Sequence, residues 1–228
     1  MKKGFFTLLL MTLAQLASAG QSNFERVNGL NRINRLAFGS CNHQTDYQPL
    51  WKDIMAQNPD IWIWGGDNIY VDSLEQLDIK YGYQVQNNNT DYAAFKEKIP
   101  FIGTWDDHDF AYNNADFDVP WKNFSQQYFL DFMGEPLVSR RRHQEGIYTS
   151  YTFGEGEEKI KIILLDNRYF LGQESRSPIL GEKQWRWFED ELKNNDAHLT
   201  FIMAGLSIVS PVLTISEEWA DHPRDLNR

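Results

Sequence analysis

Three short apolar runs in this chain each end in a cluster of metal-ligand side chains. That coincidence limits what the chain can fold into more than any other feature. The clearest run, Ile61-Trp62-Ile63-Trp64, reads as a buried strand stopped by Gly65-Gly66, and Asp67-Asn68-Ile69-Tyr70-Val71-Asp72 follows at once. The run over 35–39 opens into Ser40-Cys41-Asn42-His43, and the run over 101–105 opens into Asp106-Asp107-His108-Asp109. Open α/β sheets bind ligands at the carboxyl ends of their strands. Three runs ending this way predict one loaded sheet edge, with Asp67 and Tyr70 as metal ligands.

The segments between the runs support that topology. Tyr47, Leu50, Trp51, Ile54 and Met55 recur at helical spacing, which predicts an amphipathic helix over 46–57 stopped by Asn58-Pro59-Asp60. Strand, helix and strand imply a parallel pair with a right-handed crossover, so Cys41 and Asp67 emerge on the same edge. Residues 73–90 are polar and read as a surface segment with at most one helical piece, before a short helix over 91–98. Pro120 starts a helix over 121–132 whose apolar face is Trp121, Phe124, Tyr128 and Phe132. An antiparallel pair is predicted over 146–153 and 160–165. A helix over 182–194, carrying Trp185, Phe188 and Leu192, and a last strand over 199–204 follow. Arg140-Arg141-Arg142-His143 reads as a solvated basic loop, with phosphate attraction as the alternative, and 205–228 as loop. Repeats and linkers are lacking, so residues 35–228 form one mixed α/β domain behind a polar lead-in over 20–34.

The amino terminus has the layout of a secretory signal peptide over 1–19: Met1-Lys2-Lys3, an apolar stretch over 5–16, and Ala17-Ser18-Ala19. No Arg-Arg pair is present there, so the expected route is the general one, to the periplasm or the medium. Thr7, Thr12 and Gln15 interrupt a stretch already shorter than the roughly 20 residues of a membrane span, which argues against stable insertion. Without Lys2 and Lys3 the chain carries 20 basic against 32 acidic residues, a net charge of −12. Such a surface repels nucleic acid and anionic membranes and suits a collector of divalent cations. Exported proteins use cysteine mostly in pairs, yet Cys41 stands alone, which calls for burial or a bond to something else.

Carboxylates crowded at one edge repel and raise one another's pKa unless a cation neutralises them. Carboxylate and amide oxygens suit calcium or magnesium, whereas a thiolate and a tyrosinate beside them suit ferric iron. Two unlike metals would stabilise both oxygens of an in-line phosphoryl displacement, with His108 placed to protonate the leaving alkoxide.

Phe38-Gly39-Ser40-Cys41-Asn42, Gly66-Asp67-Asn68-Ile69-Tyr70-Val71-Asp72, Trp105-Asp106-Asp107-His108-Asp109 and Leu165-Asp166-Asn167-Arg168 together resemble the alkaline phosphatase D family, a secreted branch of the calcineurin-like metallophosphatases. The similarity runs from about Arg35 to Pro223. It implies a two-sheet β-sandwich flanked by helices, and hydrolysis of small phosphomonoesters or phosphodiesters with ferric iron and calcium, or another bimetallic pair. By position, Cys41 and Tyr70 resemble iron ligands, Asp67 the bridging carboxylate, Asp107 a ligand of the second metal and His108 the catalytic histidine. Arg168 is a candidate phosphate contact, with a structural ion pair to a nearby Asp as its alternative, and Asn68 is a weaker candidate for substrate contact.

Family members carry a further Gly-Asp-x-His motif downstream, and this sequence reaches Arg228 without one; His198 and His222 stand in other contexts. The expectation is a domain incomplete at its carboxyl end. The rival readings are a catalytically inactive, metal-binding secreted protein, and a thiol hydrolase using Cys41 with His43 or His108 as base. The sequence leaves the oligomeric state open.

Overall fold

The computed structural model of the chain describes residues 20–72, 75–172, 178–208 and 217–228. The leader expected over 1–19 lies outside the described residues. In chain order the first elements are α1 (Asn23–Asn28), β1 (Leu36–Gly39), α2 (Leu50–Ala56), β2 (Ile61–Gly65), α3 (Gln76–Asn88), α4 (Thr90–Lys98) and β3 (Phe101–Thr104). They are followed by α5 (Asp107–Phe110), α6 (Lys122–Phe132), β4 (Thr149–Phe153), β5 (Ile160–Leu164), α7 (Gly181–Lys193), β6 (Leu199–Met203) and α8 (Pro223–Leu226).

β2 sets the layering. All of it is buried, and successive strand side chains point to opposite faces, so both faces need cover. Ile61 and Ile63 share a core with Ile102, Phe153, Ile162 and Leu164, which belong to both sheets. Trp62 and Trp64 point the other way, into the helices. β1 and β3 flank β2 in parallel, and β4, β5 and β6 form the second sheet, β4–β5 antiparallel and β5–β6 parallel. The result is a two-sheet sandwich with helices outside each sheet. Trp51 of α2 packs edge-on to Trp62 and Trp64 at 5.4 and 5.3 Å, and Tyr92 and Phe95 of α4 close the cluster at 5.0 and 4.9 Å from Trp51. Each such aromatic pair adds roughly 0.5–1.5 kcal/mol beyond its burial. On the second sheet, Ile163 and Leu165 pack with Trp185 and Phe188 of α7.

Several local readings change. The stretch read as polar surface contains α3, which buries Ile79, Gly82, Tyr83 and Gln86. Two of those residues carry no apolar side chain, so the stripe is weak in sequence; Gln86 is accommodated by paired amide bonds with Gln48 at 2.9 and 3.0 Å. The buried face of α6 is Ser125, Gln126, Phe129, Leu130 and Phe132, with Phe124 exposed. Gln126 belongs on that face because its amide donates to Arg141 O and Gln144 O. The lead-in is not merely exposed: α1 starts with a Ser22/Glu25 capping box, and Val27 reaches the inter-sheet core. The basic cluster is no solvated loop, because Arg141 is buried on Ile147 O and Glu135, and Arg142 pairs with Asp131. Within 217–228, Asp225 is buried and accepts from Ile179 N and Trp185 Nε1.

The outer edge of β3 is covered by Asn23, which accepts from Phe101 N and donates to Phe101 O. Among the described residues β1 pairs only with β2, and Phe38 on it is 68% exposed. A cavity of about 670 Å³ lined by Leu36, Phe38, Cys41, His43, Tyr47 and Leu50 runs along that edge. β6 likewise exposes Leu199, Phe201 and Ile202. Open apolar edges template association. Phe38→Lys is therefore expected to lower any self-association of this chain in sedimentation velocity, and an unchanged concentration dependence would count against β1 as the contact.

Candidate metal centre

Because β1, β2 and β3 are parallel, their carboxyl ends open together. The β1 loop is tied to the β2 loop by Cys41 N to Gly66 O at 3.3 Å and Asn42 N to Asp67 O at 2.8 Å. Cys41 and Asp67 hold φ values of 57° and 49°, in the left-handed region. Such backbone costs roughly 1–3 kcal/mol per residue and collects at functional sites. Gly66, at φ 108°, makes the close approach possible: a Cβ there would stand 2.8 Å from Asp106 Cβ.

The ligand atoms of Asp67, Asp107 and His108 lie within 4.8 Å of one another. The Tyr70 hydroxyl donates to Asp67 Oδ2 at 2.9 Å, and Cys41 Sγ stands 3.8 Å from the same oxygen. Five of the residues singled out in the sequence are thus brought together. Asp107 Oδ1 accepts from His108 N at 3.0 Å and Oδ2 from Asn114 N at 2.6 Å, which fixes its rotamer. The His108 ring packs on Tyr70 with centroids 4.3 Å apart, and its Nδ1 lies 3.0 Å from Asp72 Oδ1, an ion-pair distance without the direction of a hydrogen bond.

The electrostatics ask for a cation. Burial, then the neighbouring Asp106 and Asp107 charges, push the Asp67 carboxyl up to about 6. Burial raises Tyr70 above the usual phenol range, reinforced by Cys41 and Asp67. Asp67 Oδ1 is buried with no hydrogen-bond partner among the described residues. A buried carboxylate oxygen left unsatisfied is costly, and a bound cation removes that cost. The donors fit a hard ion on Asp67 and Asp107, and a ferric ion on Asp67, Tyr70 and Cys41.

Arg168 and Asn68 sit beside this cluster with their side chains engaged elsewhere. Arg168 is 2% exposed; its Nε lies 2.5 Å from Asp106 Oδ1 and its Nη1 2.6 Å from Glu217 Oε2. Burial alone would lower its pKa, but Asp106, Asp107 and Glu217 together raise it. Asn68 is fully buried, and its Nδ2 donates to Thr104 O at 3.0 Å. Asp109, Tyr83 and Asp72 received no role from sequence reasoning, although the Asp106–Asp109 spacing is that of a capping pair.

Residues 36–223 match the family model of the PhoD-like phosphatases. The chain belongs to the PhoD-like phosphatase family. A solved structure of PhoD superposes with a TM-score of 0.72 at 16% identity, covering 87% of this chain and 48% of that chain. At this identity the likeness concerns the fold, and the chain spans about half the length of the solved PhoD. No curated protein matches the sequence. Within the PhoD-like frame, the matched segment contains the whole Cys41, Asp67, Tyr70, Asp107 and His108 cluster.

Proposed function

We propose that the protein is a secreted, metal-dependent hydrolase of small phosphomonoesters or phosphodiesters. The observation that carries this reading is the convergence of Asp67, Asp107 and His108 within 4.8 Å, with Cys41 and Tyr70 both on Asp67 Oδ2. Asp67 would be shared between two ions, Cys41 and Tyr70 completing the ferric side and Asp107 the calcium side. Bound metals would supply Lewis-acid activation of water and neutralise charge developing on the phosphoryl oxygens. His108, buried against Tyr70 and beside Asp72, would give a proton to the leaving alkoxide. The leader over 1–19 supports export, and among the described residues no helix is long and apolar enough to cross a membrane. The acidic surface favours small substrates over nucleic acid.

The expected result is hydrolysis of p-nitrophenyl phosphate or its bis ester that a chelator abolishes and calcium restores. Activity that survives chelation and dies on alkylation of Cys41 would instead point to thiol chemistry. Against that outcome, the Cys41 Sγ contacts among the described residues are to Ser40, Asp67 and Tyr70, not to an imidazole. A thiolate or tyrosinate on ferric iron also absorbs visible light, so a colourless, iron-free and active preparation would remove Cys41 and Tyr70 from the ligand set.

A further inference from the structure

The metal centre is assembled from two loops that are far apart in sequence, and one carboxylate joins them. Asp109 is fully buried. Both of its oxygens lie 3.1 Å from Asn68 N, on the peptide that follows Asp67. Oδ2 also accepts from Asp106 N at 3.0 Å, and Oδ1 from the Tyr83 hydroxyl of α3 at 3.0 Å. Asp107 and His108 are the residues between Asp106 and Asp109, so this carboxylate holds both ends of the turn that presents them. A local capping pair explains the bond to Asp106 N but not the bonds to Asn68 N and Tyr83. Asn68 N, Asp106 N and the Tyr83 hydroxyl, all neutral donors, are oriented onto its two oxygens.

We propose that Asp109 is the positioning residue of the metal centre: it fixes the left-handed Asp67 loop relative to the Asp107–His108 turn, at the separation that lets one ion reach both. The chemistry requires a carboxylate. Three donors converge on its two acceptor oxygens, whereas an asparagine offers one oxygen and would aim an N–H₂ at other donors. This inference rests on the metal-dependent reading above, and its test reads metal affinity and not only turnover.

The experiment is a Mn²⁺ titration of the full chain, with free ion counted by electron paramagnetic resonance, on wild type, Asp109→Asn and Tyr83→Phe. Thermal unfolding is recorded alongside. Outer partners that orient metal ligands typically carry about 10–100-fold in affinity, and Asp109→Asn is expected to lose that much. Tyr83→Phe removes one donor and leaves Asp109 and the helix in place, so a smaller but measurable loss is expected. A merely structural role would lower the melting temperature and leave the Mn²⁺ affinity of the folded protein unchanged in both variants, which overturns the proposal. Should Asp109→Asn fail to fold, Tyr83→Phe decides alone by the same criterion. A wild-type chain that takes up no Mn²⁺ overturns the metal reading itself, and this proposal with it, before any variant is compared.

Discussion

Asp67→Asn is expected to reduce kcat/KM by about three orders of magnitude, because it removes the oxygen on which the proposed ligands converge and Lewis-acid stabilisation is worth several kcal/mol. The same substitution should stabilise the metal-free chain at neutral pH. The Asp67 carboxyl is pushed up to about 6 from an ordinary 3.8, chiefly by burial and then by Asp106 and Asp107. Below the lower value it is protonated in both the folded and unfolded chain and costs nothing. As pH rises between the two values the unfolded chain releases its proton first, so stability falls, and above about 6 the full penalty is present. Allowing for solvent screening of a partly exposed group, that penalty is about 2 kcal/mol. Urea denaturation with chelator should show wild type weakening from pH 4 to pH 7 by about this amount and the Asn variant much less. Equal pH profiles would mean that Asp67 ionises normally. Metal should reverse the order of stability, since it binds the folded wild type.

The second large effect belongs to Arg168. Its guanidinium lies between Asp106 and Glu217 with almost no exposure. Arg168→Met leaves Asp106 buried without its cation, and breaking such a pair costs about 3–5 kcal/mol. Burial already raises the Asp106 pKa in spite of Arg168, so part of the loss should return in acid as Asp106 takes up a proton. Arg168→Lys should recover only part of the stability, because an ammonium cannot reproduce the fork that reaches two carboxylates. Urea midpoints measure all of this, and KM for an aryl phosphate decides the competing role. If Arg168→Lys keeps full stability and raises KM, the residue contacts phosphate and the ion-pair reading fails.

β2 was legible as a buried strand because Ile61-Trp62-Ile63-Trp64 is an unbroken apolar run stopped by Gly65-Gly66, whereas the two-sheet sandwich came from the family resemblance. The strand–helix–strand unit was legible because Tyr47, Leu50, Trp51, Ile54 and Met55 recur at helical spacing between two apolar runs, and with it the convergence of Cys41 and Asp67 on one edge. α3 was not legible, since Gly82 and Gln86 stand in its buried stripe and it takes the Gln48 and Asn42 amides to make the burial of Gln86 tolerable. The face of α6 was misread because Gln126 is buried by its bonds to the 141–146 segment, which periodicity does not register. The arginine cluster was misread because Glu135 and the Ile147 carbonyl, which take up Arg141, are contacts that composition cannot show.

For the site, the sequence by itself determined which chemical groups stand at the strand ends: a thiol, a phenol, an imidazole and a set of carboxylates, each just after a short apolar run. It did so because parallel strands deliver their outgoing loops to a common edge whatever the details of packing. Only the tertiary structure decided which of those groups meet. Asp67, Asp107 and His108 close to within 4.8 Å, while Asp106 is taken by Arg168 and Asp109 by Asn68 N and Tyr83. Four aspartates that look alike in sequence are sorted by their hydrogen-bond partners. Arg168, Asn68 N and Tyr83 lie on other elements than the aspartates they hold, and no local pattern contains those pairings.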